Sequence, residues 1–210
     1  MKNYEKYERE KLKIYFERIN SSGLRLLSLL NDLLDLSKLE ARLEMINSEY
    51  FDLFEVIKEM VLEMDLLVRE KELQLDYNIA VTMTRMYSDK KKIQQLVSNL
   101  ISNAVKFSPP GGMISIGLLE GQLGDTALES NAIQIRITDE GPGIPEEELK
   151  LIFDKFVQSS KTSTGAGGTG LGLSISEEIT KLLGGKIWAE SQREKGAAFN
   201  VMLPVNSPSV

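Results

Sequence analysis

Four polar side chains lie at helical spacing in a segment that is otherwise mostly apolar: Gln95, Asn99, Asn103 and Lys106. Successive residues of an α-helix advance by about 100° around its axis, so these four residues share one narrow face. An amide oxygen can ligate a hard cation such as Mg²⁺ without bringing a full charge, and a nearby lysine can bind phosphate. The spacing therefore favours a site for a magnesium-bound phosphate ligand, while a solvated pair of asparagines is the structural alternative.

A carboxylate at position 139 follows a segment in which isoleucines alternate with polar residues, and Gly141 and Gly143 come directly after it. Glycines let the backbone turn sharply and approach a flat ligand closely. The Asp139 carboxylate could accept a hydrogen bond from an exocyclic amine of that ligand. An ordinary Asp-Gly turn explains the same residues and is, by itself, the simpler interpretation.

A third candidate is the glycine-rich stretch 165–173, which leads directly into a predicted helix. Free backbone N–H groups and the helix dipole at such a point suit a polyphosphate. The stretch lacks the Gly-Lys-Ser/Thr ending of a Walker loop, and it does not follow a predicted strand as a Rossmann fingerprint does. One such loop is weak evidence, but all three candidates suit a magnesium nucleotide.

The composition removes several classes of chemistry. The 210 residues include no histidine and no cysteine, which excludes a Ser-His-Asp triad, a thiolate nucleophile and a disulfide framework. The net charge of −6 argues against the clustered basic face that nucleic-acid binding normally requires, so we do not expect a nucleic-acid partner. The leucine-rich stretch 24–39 is interrupted by charged residues and is too short for a membrane span, and no secretion signal is evident.

The elements that must position these groups follow from periodicity. Helical patterns predict helices at about 4–45, with a break near Gly23, and at 53–71, 89–107 and 171–183, with a short helix after Pro145. Alternating patterns predict strands at 73–79, 113–119, 132–139, 186–191 and 197–203. The connection 120–131 is predicted to be a polar hairpin loop and 158–168 a mobile flap.

Four motifs in this order resemble the N, G1, F and G2 boxes of sensor histidine kinases, members of the gyrase, chaperone and histidine-kinase ATPase superfamily. They are Asn99-x-x-x-Asn103-Ala104-x-Lys106-Phe107, Asp139-x-Gly141-x-Gly143-Ile144, Phe153-x-x-Phe156 and Gly168-x-Gly170-Leu171-Gly172-Leu173. The helix over 21–40 is similar to the second helix of that family's dimerisation and phosphoacceptor hairpin, especially in hybrid kinases. Its broad apolar stripe favours a bundle or dimer helix over one packed on its own domain.

The resemblance implies an α+β fold, a two-layer α/β sandwich of the Bergerat type, preceded by a long helix from the dimerisation hairpin. Residues 1–46 would be a partial dimerisation segment without the acceptor histidine. Residues 47–206 would be the ATP-binding catalytic domain, and 207–210 a tail. Since that family's acceptor helix precedes this hairpin helix, we expect the chain to be a fragment rather than a degenerate regulator.

The resemblance also implies roles for individual residues. Asn103 would ligate Mg²⁺ with support from Asn99, Lys106 would meet phosphate, and Asp139 would bind the adenine amino group. Gln95 occupies the position of a glutamate base in gyrase-type ATPases, and an amide cannot take up a proton in that way. The implied ATP-binding residues are Asn103, Lys106, Asp139, Gly141, Gly143, Ile144, Phe156, Gly168, Thr169, Gly170, Leu171, Gly172 and Leu173.

The resemblance predicts a protein-histidine kinase that binds ATP and Mg²⁺ and transfers the γ-phosphoryl group to a histidine absent from this chain. The expected partners are the hairpin helix of the parent kinase, a response regulator receiver domain and a second copy in a homodimer. The expected location is the cytoplasm, either free or as the cytoplasmic part of a membrane-bound sensor. The alternatives are a silent nucleotide-binding regulator, an anti-sigma-type serine kinase and, least favoured because of Gln95, a gyrase-like ATPase.

Overall fold

A five-stranded mixed sheet forms one layer of the protein and helices cover one of its faces. The computed structural model describes residues 2–41, 45–123, 131–161, 168–191 and 196–206, without the side chains of residues 2–10 and 25. The sheet has the order β2 (Gln74–Ala80), β4 (Met113–Gln122), β5 (Asn131–Asp139), β7 (Ala197–Pro204) and β6 (Lys186–Ser191). Strands β2 and β4 are parallel, and the other neighbours are antiparallel.

The helices are α1 (Lys2–Glu40), α2 (Leu53–Glu63), α3 (Asp65–Glu70), α4 (Lys90–Phe107) and α5 (Gly172–Leu182), with single 3-10 turns at Glu146–Glu148 and Leu151–Phe153. Helix α4 packs between α2 and α5, and α1 packs against α5. Strands β1 (Glu49–Asp52) and β3 (Arg85–Ser88) form a separate antiparallel ribbon. The predicted two-layer α+β sandwich is therefore confirmed.

The core lies between the sheet and α4, where the predicted alternation decides which side chains are buried. On β5 the isoleucines at 133, 135 and 137 are buried, whereas Gln134, Arg136 and Thr138 remain partly exposed on the opposite face. The buried face of α4 consists of Ile93, Leu96, Val97, Leu100, Ile101, Ala104 and Val105. Each such aliphatic side chain contributes roughly 1.5–3 kcal/mol when fully buried, so this contact holds the polar face of α4 in a fixed orientation.

Both ends of α4 are capped by side chains. The Asp89 carboxylate accepts a hydrogen bond from the Lys92 amide (3.1 Å), as expected of an N-cap. At the other end, the Lys71 ammonium donates to the carbonyl oxygens of Val105, Lys106 and Ser108 at 2.8, 2.7 and 3.0 Å. These carbonyls have no partner further along the helix, so Lys71 fixes the segment that carries Lys106.

Several predicted boundaries are wrong. Helix α1 continues through Gly23 without a break, and it ends at Glu40, so Met45 is not helical. The predicted helix 53–71 divides at Met64 into α2 and α3. The ribbon of β1 and β3 was not predicted, because it joins two four-residue strands that are distant in sequence and carry little local signal. Residues 124–130 of the predicted hairpin loop and the tail 207–210 lie outside the described residues.

Helix α1 is docked at its carboxyl end and exposed over much of its remaining described length. Leu36 and Leu39 are buried, whereas Leu26, Leu30 and Leu33 are exposed. No helix within the described ranges is long and apolar enough to cross a membrane. The apolar stripe of α1 is covered in part by this chain's own α5, and the rest of the stripe faces solvent.

Candidate functional site

One cavity of about 510 Å³ brings the three predicted groups of residues together. It opens between α4, the end of β5, the start of α5 and the docked end of α1. The predicted residues that line it are Asn99, Asn103, Lys106, Asp139, Gly143, Ile144, Gly168, Thr169, Gly170, Gly172 and Leu173. Residues more than 70 positions apart in the sequence thus face a common space.

Helix α4 contributes its predicted polar face to the cavity. The Asn99 side-chain amide donates to the carbonyl oxygen of Gly172 at 3.2 Å, which ties α4 to the first turn of α5. Among the described residues Lys106 forms no ion pair, and its ammonium lies 4.7 Å from the centre of the Phe107 ring. Burial lowers the pKa of Lys106. An incompletely solvated cation that is not paired with a carboxylate of the described residues is suited to a phosphate ligand.

Asp139 lines the same cavity from the end of β5 and is only 4% exposed. Its Oδ1 atom accepts a hydrogen bond from the Gly141 amide at 2.8 Å, and burial raises the pKa of the carboxyl group despite this bond and a second one from the Ala197 amide. A Cβ atom at Gly141 would lie 2.6 Å from the same oxygen and 3.0 Å from the Phe107 carbonyl oxygen. Glycine at 141 therefore permits the turn that holds the carboxylate.

The start of α5 supplies backbone N–H groups. The amides of Gly172, Leu173 and Ser174 occupy the first helical turn, where no carbonyl four residues earlier in the helix can accept their hydrogen bonds. The Leu171 amide donates to the Thr169 hydroxyl at 3.2 Å. With the positive end of the helix dipole, this turn is a suitable anion site. Residues 165–167 of the predicted glycine loop lie outside the described residues.

Four predicted site residues do not line the cavity. Gln95 lies one turn before Asn99, and its side-chain amide donates to the Asp35 carboxylate of α1 at 3.1 Å. Phe156 is 61% exposed with a φ of 63°, and Leu171 is fully buried at the start of α5. Gly141 does not line the cavity, but it permits the turn that holds the Asp139 carboxylate there.

Helix α1 also contributes to the cavity, through Ser28, Leu29 and Asp32, and this contribution is not predicted from the sequence. The Thr169 hydroxyl donates to the Asp32 carboxylate at 3.0 Å. Burial is the main reason that the pKa of Asp32 is raised, and the Thr169 hydrogen bond opposes this shift. The only signal in the sequence was an acidic residue within an apolar helical stripe, which is not specific.

A bound Mg²⁺ fits this cavity only together with phosphates. The described part of the chain contains no cluster of three or more acidic, histidine or cysteine side chains that could hold a metal ion. Mg²⁺ at nucleotide sites is commonly held by one or two protein oxygens and by substrate phosphates. The Asn103 amide oxygen can supply one such ligand from the cavity wall.

Comparison with known proteins agrees with the resemblance carried by the four sequence motifs. A family model described as "Histidine kinase-, DNA gyrase B-, and HSP90-like ATPase" matches residues 88–207. The adaptive-response sensory kinase SasA of Synechococcus sp. (strain CC9311) is 36% identical over 159 residues, which cover 76% of this chain and 40% of SasA. The chain thus spans less than half the length of such curated relatives.

Two solved structures show the same fold. Full-length ShkA in complex with AMPPNP superposes with a TM-score of 0.77 at 24% identity, over 94% of this chain and 40% of ShkA. The histidine kinase ThkA in complex with the response regulator protein TrrA superposes with a TM-score of 0.72 at 28% identity, over 92% of this chain and 51% of the matched chain. Because these similarities cover 94% and 92% of this chain, they include part of α1 as well as the sandwich.

Proposed function

The chain belongs to the family of histidine kinase-, DNA gyrase B- and HSP90-like ATPases, and from this membership we propose that it is the catalytic module of a sensor histidine kinase. The observation that carries the proposal is the convergence of the α4 amides, Asp139 and the start of α5 on one cavity. We assign residues 47–206 to the catalytic domain and 1–46 to a dimerisation segment. A cytoplasmic location is consistent with this assignment.

The chemistry of the cavity wall supports one orientation of the nucleotide. Adenine lies at Asp139, whose carboxylate accepts a hydrogen bond from the exocyclic amine. The phosphates lie where Lys106 and the first turn of α5 supply positive charge and free N–H groups. Asn103 would hold Mg²⁺ through its amide oxygen, and Asn99 ties α4 to α5 through the carbonyl oxygen of Gly172.

In the proposed reaction, an imidazole nitrogen of a histidine outside this chain forms a bond to the γ-phosphorus of ATP. The bond to the bridging β–γ oxygen breaks, ADP leaves with its electron pair, and the attacking imidazole ring, now phosphorylated, releases an N–H proton to solvent. Lys106 and the α5 amides stabilise the charge on the phosphate oxygens. Mg²⁺, when bound, supplies further charge neutralisation at these oxygens.

The proposed partners follow from the same assignment. The histidine comes from the dimerisation hairpin of the parent kinase, and the phosphoryl group passes on to a response regulator receiver domain. The ThkA complex with TrrA supports such a partner. The exposed leucines of α1 are consistent with pairing to a second copy.

A direct test supplies the missing acceptor. The chain is mixed with a separate hairpin fragment that carries a histidine and with γ-labelled ATP, and the expected result is acid-labile label on the fragment. A fragment with His→Gln is the matched control and should stay unlabelled. Binding of ATP without any transfer would contradict the kinase assignment and favour a regulatory binding module. Acid-stable label would favour a serine kinase.

The affinity for adenosine is expected to fall at acid pH, beginning at a higher pH than an ordinary aspartate would give. Burial raises the pKa of Asp139, and the adenine amine requires the ionised carboxylate, so binding is lost as the pH falls through this raised value. Asp139→Asn should weaken binding at neutral pH and flatten the profile. Calorimetry with adenosine, which carries no titrating phosphate, is the measurement. Parallel pH profiles for the two proteins would rule out this role of Asp139.

A further inference from the structure

The docked end of α1 places a carboxylate at the phosphate end of the cavity. Asp32 lines the same cavity as Asn103 and Lys106, and it is bound to the segment that leads into α5 by the hydrogen bond from Thr169 (3.0 Å). This segment is also close to Lys106, since a Cβ atom at Gly168 would lie 2.8 Å from the Lys106 ammonium. The proposed phosphate site therefore has both a cation and an anion next to the segment 168–169.

The position of Asp32 is maintained by contacts in the part of α1 that follows it. Leu36 and Leu39 are buried, the Asp35 carboxylate accepts a hydrogen bond from Gln95 at 3.1 Å, and Glu40 pairs with Lys155 at 2.6 Å. These residues follow Asp32 at intervals that keep them near one side of the helix. The docked helix thus holds the Asp32 carboxylate in the cavity instead of leaving it in solvent.

We propose that Asp32 determines how the cavity discriminates between nucleotides by their phosphate charge, so that the docked α1 disfavours ATP relative to ADP. The inference rests on the proposed nucleotide site. Each added phosphate brings negative charge toward a partly buried carboxylate, where repulsion is stronger than in bulk water. Adenosine carries no such charge and does not experience the repulsion. Asp32 is therefore a specificity-determining residue rather than a catalytic one.

The test measures binding of adenosine, ADP and ATP to the whole chain and to Asp32→Asn by calorimetry, in chelator and in Mg²⁺. Asparagine keeps an oxygen that can accept the Thr169 hydrogen bond but removes the charge. In chelator we expect the affinity for ATP to rise about tenfold and that for ADP by a smaller factor, since the repulsion grows with charge. Adenosine affinity should not change, which also shows that the cavity is intact. Mg²⁺ should reduce the difference, because it neutralises phosphate charge.

Glu40→Gln is the matched control, since it removes a carboxylate from the same helix but weakens only the ion pair with Lys155 outside the cavity. It should leave the ratio of ATP to ADP affinity unchanged. An equal change in both variants would mean that undocking of α1, not the charge of Asp32, is responsible, and would overturn the inference. A weaker affinity of Asp32→Asn for Mg-ATP would overturn it too, because Asp32 would then support the metal. Failure of all three ligands to bind either protein would instead reject the proposed nucleotide site.

Discussion

Replacing Asn103 by alanine is expected to weaken Mg-ATP binding by about ten- to a hundredfold, since a lost interaction with a charged group costs about 1.5–3 kcal/mol. The Asn103 amide lines the cavity, and the described residues offer no acidic cluster that could hold the ion in its place. Phosphoryl transfer should fall further, by about 10²–10³-fold, as for the loss of one preorganised group in a transition state. The affinity in the presence and absence of Mg²⁺ and the transfer rate to the hairpin fragment are the measurements.

The dependence on Mg²⁺ makes this prediction specific. In chelator the wild-type protein and Asn103→Ala should bind ATP with similar affinities, because the difference comes from the metal. Asn78→Ala removes the same side chain from an exposed position on β2 and should leave binding unchanged. A loss of affinity that is equally large with and without Mg²⁺ would show that Asn103 shapes the cavity and does not hold the ion.

Replacing Gly196 by alanine is expected to lower the free energy of unfolding by about 3 kcal/mol or more, at the upper end of the range for single substitutions. Gly196 has a φ of +84°, and a Cβ atom there would lie 1.7 Å from the Asp139 carbonyl oxygen. Backbone must move to relieve this overlap, and the backbone concerned carries the carboxylate proposed to bind adenine. Urea unfolding measures the stability, and adenosine affinity should fall in any protein that still folds.

Gly111→Ala separates the steric overlap from the backbone strain. Gly111 has a similar φ of +76°, but a Cβ atom there would have no neighbour within 4 Å. Its replacement should cost only the conformational penalty of about 1–2 kcal/mol. Equal losses of stability in the two variants would contradict the close approach of Gly196 to Asp139.

Local patterns in the sequence were sufficient for most of the helices and strands, whereas the two-layer sandwich was implied by the resemblance to sensor histidine kinases. The alternation on β5 and the apolar face of α4 are periodic features of contiguous residues, and burial of those faces leaves one orientation for Asn99, Asn103 and Lys106. The Asp139 turn and the glycines before α5 are likewise local in sequence. That these groups meet in one cavity is seen only in the tertiary structure.

Contacts between distant segments required the tertiary structure. Thr169 and Asp32 are separated by 137 positions, and Gln95 and Asp35 by 60, so no periodicity could indicate either pair. The sequence showed that Gln95 shares a face with Asn99, but only the position of α1 directs it away from the cavity. The pairing of β1 with β3 likewise could not be predicted from periodicity. Side-chain type and spacing determine which face of an element is buried, whereas the choice of its neighbour depends on the packing of the whole chain.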